Sequence, residues 1–172
     1  LGRTIERLLA TYVRETYAGF DLVLAPSRYM CDYLASIGIR HTALQPLGVD
    51  VETFTPARRV RDLRHALGIR PDSRLLAFAG RFAGEKNLPV LLNAFERLGD
   101  RYHLLLLGGA QTGRVASNVT NVAYRRDSRE LAEWLASCDA LVHAGTRETF
   151  GLVVLEAMAC GRPVVGTRAG AI

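Results

Sequence analysis

The chain has 172 residues, is 49% hydrophobic and carries a net charge of +5 from 22 basic and 17 acidic residues. That length allows one domain, or one domain and part of another, and no apolar run reaches the ~18 residues of a membrane-spanning helix. Three scattered cysteines, Cys31, Cys138 and Cys160, form no CxxC pair, which argues against a disulfide framework or a zinc knuckle. With no visible secretory signal, a reducing cytosol is expected.

Leu1, Ile5, Leu8, Leu9, Tyr12, Val13 and Tyr17 recur at a helical period and predict a helix over 1–18. Asp21–Ala25 reads as a strand. Pro26-Ser27 reads as a turn with an N-cap for a helix over 28–37, which Gly38 stops. Thr42–Gln45 is a short strand. Pro46-Leu-Gly-Val-Asp50 and Phe54-Thr-Pro56 form a candidate linker. A helix over 60–67 ends at Gly68. Strands are then expected near 75–79, 103–107, 119–124, 139–143 and 163–166, and helices near 88–97, 128–136 and 151–160. The chain starts without methionine, inside a helical pattern, and ends just past a strand, so an excerpt of a longer protein is expected.

Strands that alternate with helices predict an α/β fold with a doubly wound parallel sheet. The runs Leu104–Leu107 and Pro163–Val165 are continuous rather than alternating, as in strands covered on both faces. If the five later strands take the order 3-2-1-4-5, ligands bind outside the carboxyl ends of the first and fourth. The loops there are 80–87 and 144–151.

Those loops carry the residues that stand out by type. Lys86 is the one lysine among the 22 basic residues. A compact ammonium suits a phosphate; chance is the competing explanation. Glu148 and Glu156 lie eight positions apart, a little over two helical turns. They could share one helix face, with Glu148 just ahead of the helix and the amides of residues 149–152 open to an anion. A buried helix with one acid near its start explains the same spacing. The loop Gly108-Gly-Ala-Gln-Thr-Gly113 is neither GxGxxG nor a P-loop; it allows a close approach of a ligand or another loop, or is a plain turn. The basic stretch Arg58, Arg59, Arg61, Arg64, Arg70 and Arg74 is diluted by Asp62 and Asp72 and reads as a solvated face. Nothing beyond charge supports nucleic-acid binding, which is not expected.

Gly80-Arg81…Lys86-Asn87, Gly108-Gly109 and Glu148-x7-Glu156-Ala-Met-Ala-Cys-Gly-Arg-Pro-Val-Val together resemble the donor half of the GT-B glycosyltransferases of family GT4, retaining enzymes that use nucleotide-diphosphate sugars. Leu22-Val-Leu-Ala-Pro-Ser27 is similar to the close of that family's N-terminal domain, and Gly48-Val-Asp50…Phe54-Thr-Pro56 to its interdomain linker. The resemblance implies a remnant of the acceptor domain at 1–47, a linker at 48–58 and a Rossmann-like donor domain at 59–172 whose sheet is incomplete at the C-terminus. It implies that Arg81 and Lys86 hold the diphosphate, and that Glu148 contacts the transferred sugar at the reacting face. The amides of Phe150, Gly151 and Leu152 would meet phosphate or sugar, with Gly108 and Gly109 nearby. Glu156 would accept from the ribose hydroxyls, and Tyr124 and Arg125 would border the base.

The chain departs from the family in having Ala144-Gly145 where Pro-Ser is usual, and Arg126 where glycine is frequent. The family's catalytic-site histidine has no counterpart; His41, His65, His103 and His143 read as structural. The implied enzyme transfers a hexose from a UDP- or GDP-sugar, with a lean to GDP-mannose, to a glycan, lipid or small-molecule hydroxyl acceptor. It would need no metal or other cofactor and would work in a bacterial cytoplasm. This chain alone would be inactive without the missing acceptor domain. A peripheral contact with the inner face of the membrane through the 1–18 helix stays open. So does a non-catalytic sugar-nucleotide-binding or assembly module.

Overall fold

The computed structural model describes residues 2–60, 63–109, 116–123 and 127–172. They fall into two compact units: 1–47 with 148–150 and 171, and 48–147 with 151–170 and 172. Residues 48–58, expected as a linker, group with the second unit, and Phe54 is buried in its core. Among the described residues no helix is long and apolar enough to cross a membrane.

The first unit contains α1 (Gly2–Tyr17), β1 (Val23–Ala25), α2 (Arg28–Ser36) and β2 (Thr42–Leu44). Ser27 caps α2 as expected: its backbone is extended and its hydroxyl accepts from the Met30 amide at 3.2 Å. The same hydroxyl donates to the Thr149 carbonyl at 2.6 Å. β1 and β2 pair in parallel, Val23 opposite Thr42. Val23, Ala25, Leu34 and Ile39 form the core, with Val13 packed against it. Most of the apolar face of α1 is uncovered, with Leu8 66% and Tyr12 70% exposed. Periodicity identifies a helix but does not name what covers it.

The second unit is built on β3 (Arg74–Gly80), β4 (Tyr102–Gly108), β5 (Val119–Ala123), β6 (Ala140–His143) and β7 (Val164–Gly166). Their order is β5-β4-β3-β6-β7, with every pairing parallel. This is the doubly wound order expected from the alternation, with the reversal between β3 and β6. The helices are α3 (Leu63–Ala66), α4 (Leu88–Leu98), α5 (Ser128–Ser137) and α6 (Leu152–Ala159).

Two apolar layers sandwich this sheet. Leu75, Ala77 and Ala79 of β3 and Leu105 and Leu107 of β4 share a cluster with Ala132 and Leu135 of α5 and Ala157 of α6. Phe78, Leu104 and Leu106 point to the other face and pack with Leu88, Leu91 and Phe95 of α4. Side chains alternate across a strand, so a strand buried on both faces must be apolar throughout. That requirement explains the unbroken run Leu104–Leu107.

Polar bonds fasten the amino edge of the sheet. One oxygen of Asp139 accepts from the Leu75 amide and from Arg64, each at 2.7 Å. The Ser73 hydroxyl donates to the Asp100 carbonyl at 2.6 Å. Asn118, although in a glycosylation sequon, is buried and donates to the carbonyls of Phe95, Gly99 and Tyr102 at 2.8, 3.0 and 3.0 Å. Asp139→Ala strands the Leu75 amide and Arg64, so it is expected to cost about 1–3 kcal/mol in urea unfolding. A loss within the scatter of ordinary surface substitutions, about 0.5 kcal/mol, would contradict that role.

Candidate functional site

At the reversal point the chain leaves β3 and β6 from neighbouring positions, since Leu76 pairs with Ala140 and Ala77 with Leu141. After β3 the loop makes a 3-10 turn at Gly84–Lys86. Asn87 follows with φ 50°, a left-handed conformation that asparagine tolerates better than most residues. Pro89 then opens α4 in its first turn.

The loop after β6 is hydrogen-bonded to this one. The Asn87 side-chain amide donates to the Ala144 carbonyl at 3.0 Å, and the Thr146 amide donates to the Glu85 carbonyl at 3.4 Å. The basic loop and the start of the 144–151 loop therefore meet, as the topology predicts. Arg81 is highly exposed and lies 3.7 Å from Glu85, four residues on. Such a pair contributes little in water, so an anion competes with it readily. Lys86 is half-buried on the 3-10 turn.

The glycine pair after β4 has a packing reason. A Cβ on Gly108 would stand 2.0 Å from the Gly80 carbonyl oxygen and 2.9 Å from the Phe82 ring. One on Gly109 would press the same ring at 3.4 Å. Close approach of another loop thus explains both glycines. Tyr124 and Arg125 lie outside the described residues.

Gly151 precedes α6, which begins at Leu152. The Val154 amide donates to the Gly151 carbonyl at 2.9 Å, and the amides ahead of it stand where a helix offers no acceptor one turn back. Glu148 precedes α6 and Glu156 lies within it, as the sequence had placed them. Glu148, Thr149 and Phe150 group with the first unit, and Arg81, Lys86, Gly151, Leu152 and Glu156 with the second. The Glu148 carbonyl accepts from the Ala171 amide at 3.1 Å.

Glu156 is half-buried in α6, and burial alone pushes its carboxyl above the ordinary value of 4.5. Among the described residues no group of three or more His, Cys, Asp or Glu side chains is placed to hold a metal ion. A cavity of about 310 Å³ lies at the opposite, amino edge of the sheet, lined by Arg64, Arg74, Arg101 and Asp139 among others. Arg64 and Asp139 already neutralise each other there.

Three residues in this region had not been singled out for a role: Glu85, Asn87 and His143. The Arg81–Glu85 pair forms across a non-helical loop, where a spacing of four carries no signal. The bonds of Asn87 and His143 depend on the tertiary arrangement and left no pattern along the chain.

The raised Glu156 carboxyl has a measurable consequence. The folded chain binds this proton more tightly than the unfolded chain, so the group lowers stability as pH rises from 4.5 through the raised value. Glu156→Gln is expected to raise the thermal midpoint at pH 7 and to leave it unchanged well below pH 4.5. A lower midpoint at pH 7 would show that the carboxylate is stabilised by its surroundings.

The profile of "Glycosyl transferases group 1" matches residues 73–172. The chain is 38% identical to a D-inositol 3-phosphate glycosyltransferase of Xylanimonas cellulosilytica, over 92% of this chain and 43% of that protein. It is 32% identical to a GDP-mannose-dependent alpha-(1-6)-phosphatidylinositol dimannoside mannosyltransferase of Mycobacterium tuberculosis, over 91% of this chain and 43% of the relative. The chain thus spans less than half the length of these relatives. Anabaena HepE in complex with UDP-glucose superposes with a TM-score of 0.84 at 22% identity, covering 99% of this chain and 51% of that one. Sucrose-phosphate synthase from Thermosynechococcus elongatus superposes with a TM-score of 0.79 at 26% identity, over 94% of this chain and 44% of the other. The second unit thus has the Rossmann-like fold of the GT-B C-terminal domain, and the chain belongs to the group 1 glycosyl transferases.

Proposed function

We propose that this chain carries the donor-binding part of a retaining hexosyltransferase and holds a nucleotide-diphosphate sugar outside the carboxyl ends of β3 and β6. The observation that carries this reading is the pair of hydrogen bonds from Asn87 to Ala144 and from Thr146 to Glu85. They bring a loop with two cations to the loop that leads into the start of α6, at the position where open α/β sheets bind ligands.

Each residue has a task matched to its chemistry. Arg81 and Lys86 bind the diphosphate and stabilise the charge that develops on the departing nucleotide. The amides of Phe150, Gly151 and Leu152, leading into α6, add donors for phosphate or sugar oxygens. The Glu156 carboxylate accepts from the two ribose hydroxyls. Its stability cost then has a use, since those hydroxyls supply the donors that the half-buried carboxylate lacks. Glu148 contacts the transferred sugar. The glycines at 108 and 109 leave the rim open, and Tyr124 and Arg125 border the base. Fixed cations do the work that a metal ion does in other phosphate sites, so the reading is metal-independent.

GDP-mannose is the favoured donor, since relatives of M. tuberculosis at 32% and 36% identity are named GDP-mannose-dependent mannosyltransferases. UDP-glucose is the alternative, named in the HepE complex. The acceptor is a hydroxyl on a glycan, a lipid or a small molecule. Residues 1–47 are read as part of an acceptor domain, 48–58 as the connection and 59–172 as the donor domain. The setting is cytoplasmic, with the exposed apolar residues of α1 available for contact with the membrane's inner face.

A thermal-shift and calorimetry panel of UDP, GDP, ADP and their sugars tests this reading. GDP or GDP-mannose is expected to raise the midpoint by several degrees, and Glu156→Ala to abolish the shift. Lys86→Ala is expected to weaken binding by roughly 1–3 kcal/mol, the scale of a lost charge-assisted contact. Binding should also weaken as pH falls through the raised Glu156 value, because a protonated carboxyl loses acceptor capacity. Unchanged affinity in Lys86→Ala would remove the phosphate role of that residue. No shift from any nucleotide in a folded sample would overturn the donor-site reading.

A further inference from the structure

We propose that His143 is a positioning residue for Lys86, acting through a turn that only glycine at position 145 permits. This rests on the reading of the two loops as the donor-phosphate site. His143 is the last residue of β6 and is 3% exposed. Its ring lies 6.4 Å from that of Phe78, and its carbonyl accepts from the Thr167 amide at 3.0 Å. The imidazole is therefore held both by its backbone and by the apolar layer beneath.

The ring turns back on its own chain. Nδ1 accepts from the Gly145 amide at 3.2 Å, which requires a neutral imidazole with its proton on Nε2. A Cβ at position 145 would stand 2.5 Å from His143 Cε1 and 3.3 Å from the Glu85 carbonyl oxygen. The ring thus occupies the space that a side chain at 145 would need. This pairing gives a physical account of the glycine at position 145.

The consequence reaches the cation. Ala144 and Thr146 flank Gly145, and Glu85 and Asn87 flank Lys86. The two bonds between the loops join these flanking residues: Asn87 to Ala144 at 3.0 Å and Thr146 to Glu85 at 3.4 Å. His143 sets the turn, the turn presents a carbonyl and an amide, and these hold the backbone on both sides of Lys86. An asparagine at 143 can place its oxygen in the same bond to the amide two residues on; alanine cannot.

The test compares wild type with His143→Ala, His143→Asn, Gly145→Ser and the double variant His143→Ala/Gly145→Ser. Hydrogen exchange of loops 84–87 and 144–147 is read against the β4 amides 104–107, and GDP affinity is measured alongside. His143→Ala and Gly145→Ser are expected to speed exchange in both loops with β4 unchanged, and to weaken GDP binding on the order of tenfold. His143→Asn should restore both, and the double variant should recover part of the Gly145→Ser loss. Exchange of both loops at the wild-type rate in His143→Ala, or His143→Asn behaving as His143→Ala, overturns the proposal. Should His143→Ala not fold, His143→Asn and Gly145→Ser decide it in the same way. If wild type binds no nucleotide but the exchange pattern holds, the donor-site reading fails and the positioning of the Lys86 backbone by His143 stands.

Discussion

Parallel pairing of β3 with β6 is the constraint on which the site depends. A right-handed crossover must carry the chain away after each parallel strand, and it does so in opposite directions from these two. The loops that leave them are 57 or more residues apart in sequence, as the bond from Asn87 to Ala144 shows. Nothing local joins them. The apolar layers on the two faces of β3 fix the strand, with Leu75, Ala77, Phe78 and Ala79 each no more than 5% exposed. At the amino edge, Asp139 ties the start of β6 to the amide of Leu75. The core therefore sets the distance between two loops that carry the polar groups.

Several residues at that edge are poor choices for stability alone. Glu156 is half-buried, and burial raises its carboxyl with no opposing cation among the described residues. Arg81 projects into water with a weak partner. Asn87 takes a left-handed backbone without glycine. Each is a local inconsistency of the kind that sequences tolerate where a ligand completes the interaction. Cys138 and Cys160 show the contrasting pattern. Both are buried in the apolar core, and burial pushes the Cys138 thiol up to about 12, which leaves it inert.

Much of the fold was legible because it rests on periodicity and punctuation. The described spans of the strands and helices follow the expected ones closely, and the order β5-β4-β3-β6-β7 matches the doubly wound expectation. Ser27 was readable as a cap from residue type and position. The face of α1 was readable as apolar but not as exposed, since period carries no information about partners. Lys86 and the two glutamates stand out as candidates by rarity and spacing. The helix expected over 151–160 runs over Leu152–Ala159, with Gly151 at φ 84° just ahead of it. The glycines at 108 and 109 were ambiguous until Phe82 was seen against them. The roles of Glu85, Asn87 and His143 lie in hydrogen bonds across or around the turn, and a one-dimensional pattern does not encode them.

The most direct test of the donor-site account is a map of hydrogen exchange with and without GDP-mannose, repeated with UDP-glucose. The account predicts that one of these donors protects amides in 81–87, 144–147 and 151–156, at the carboxyl ends of β3 and β6. Protection confined to the amino edge around Arg74, Arg101 and Asp139, or none with either donor, would contradict it.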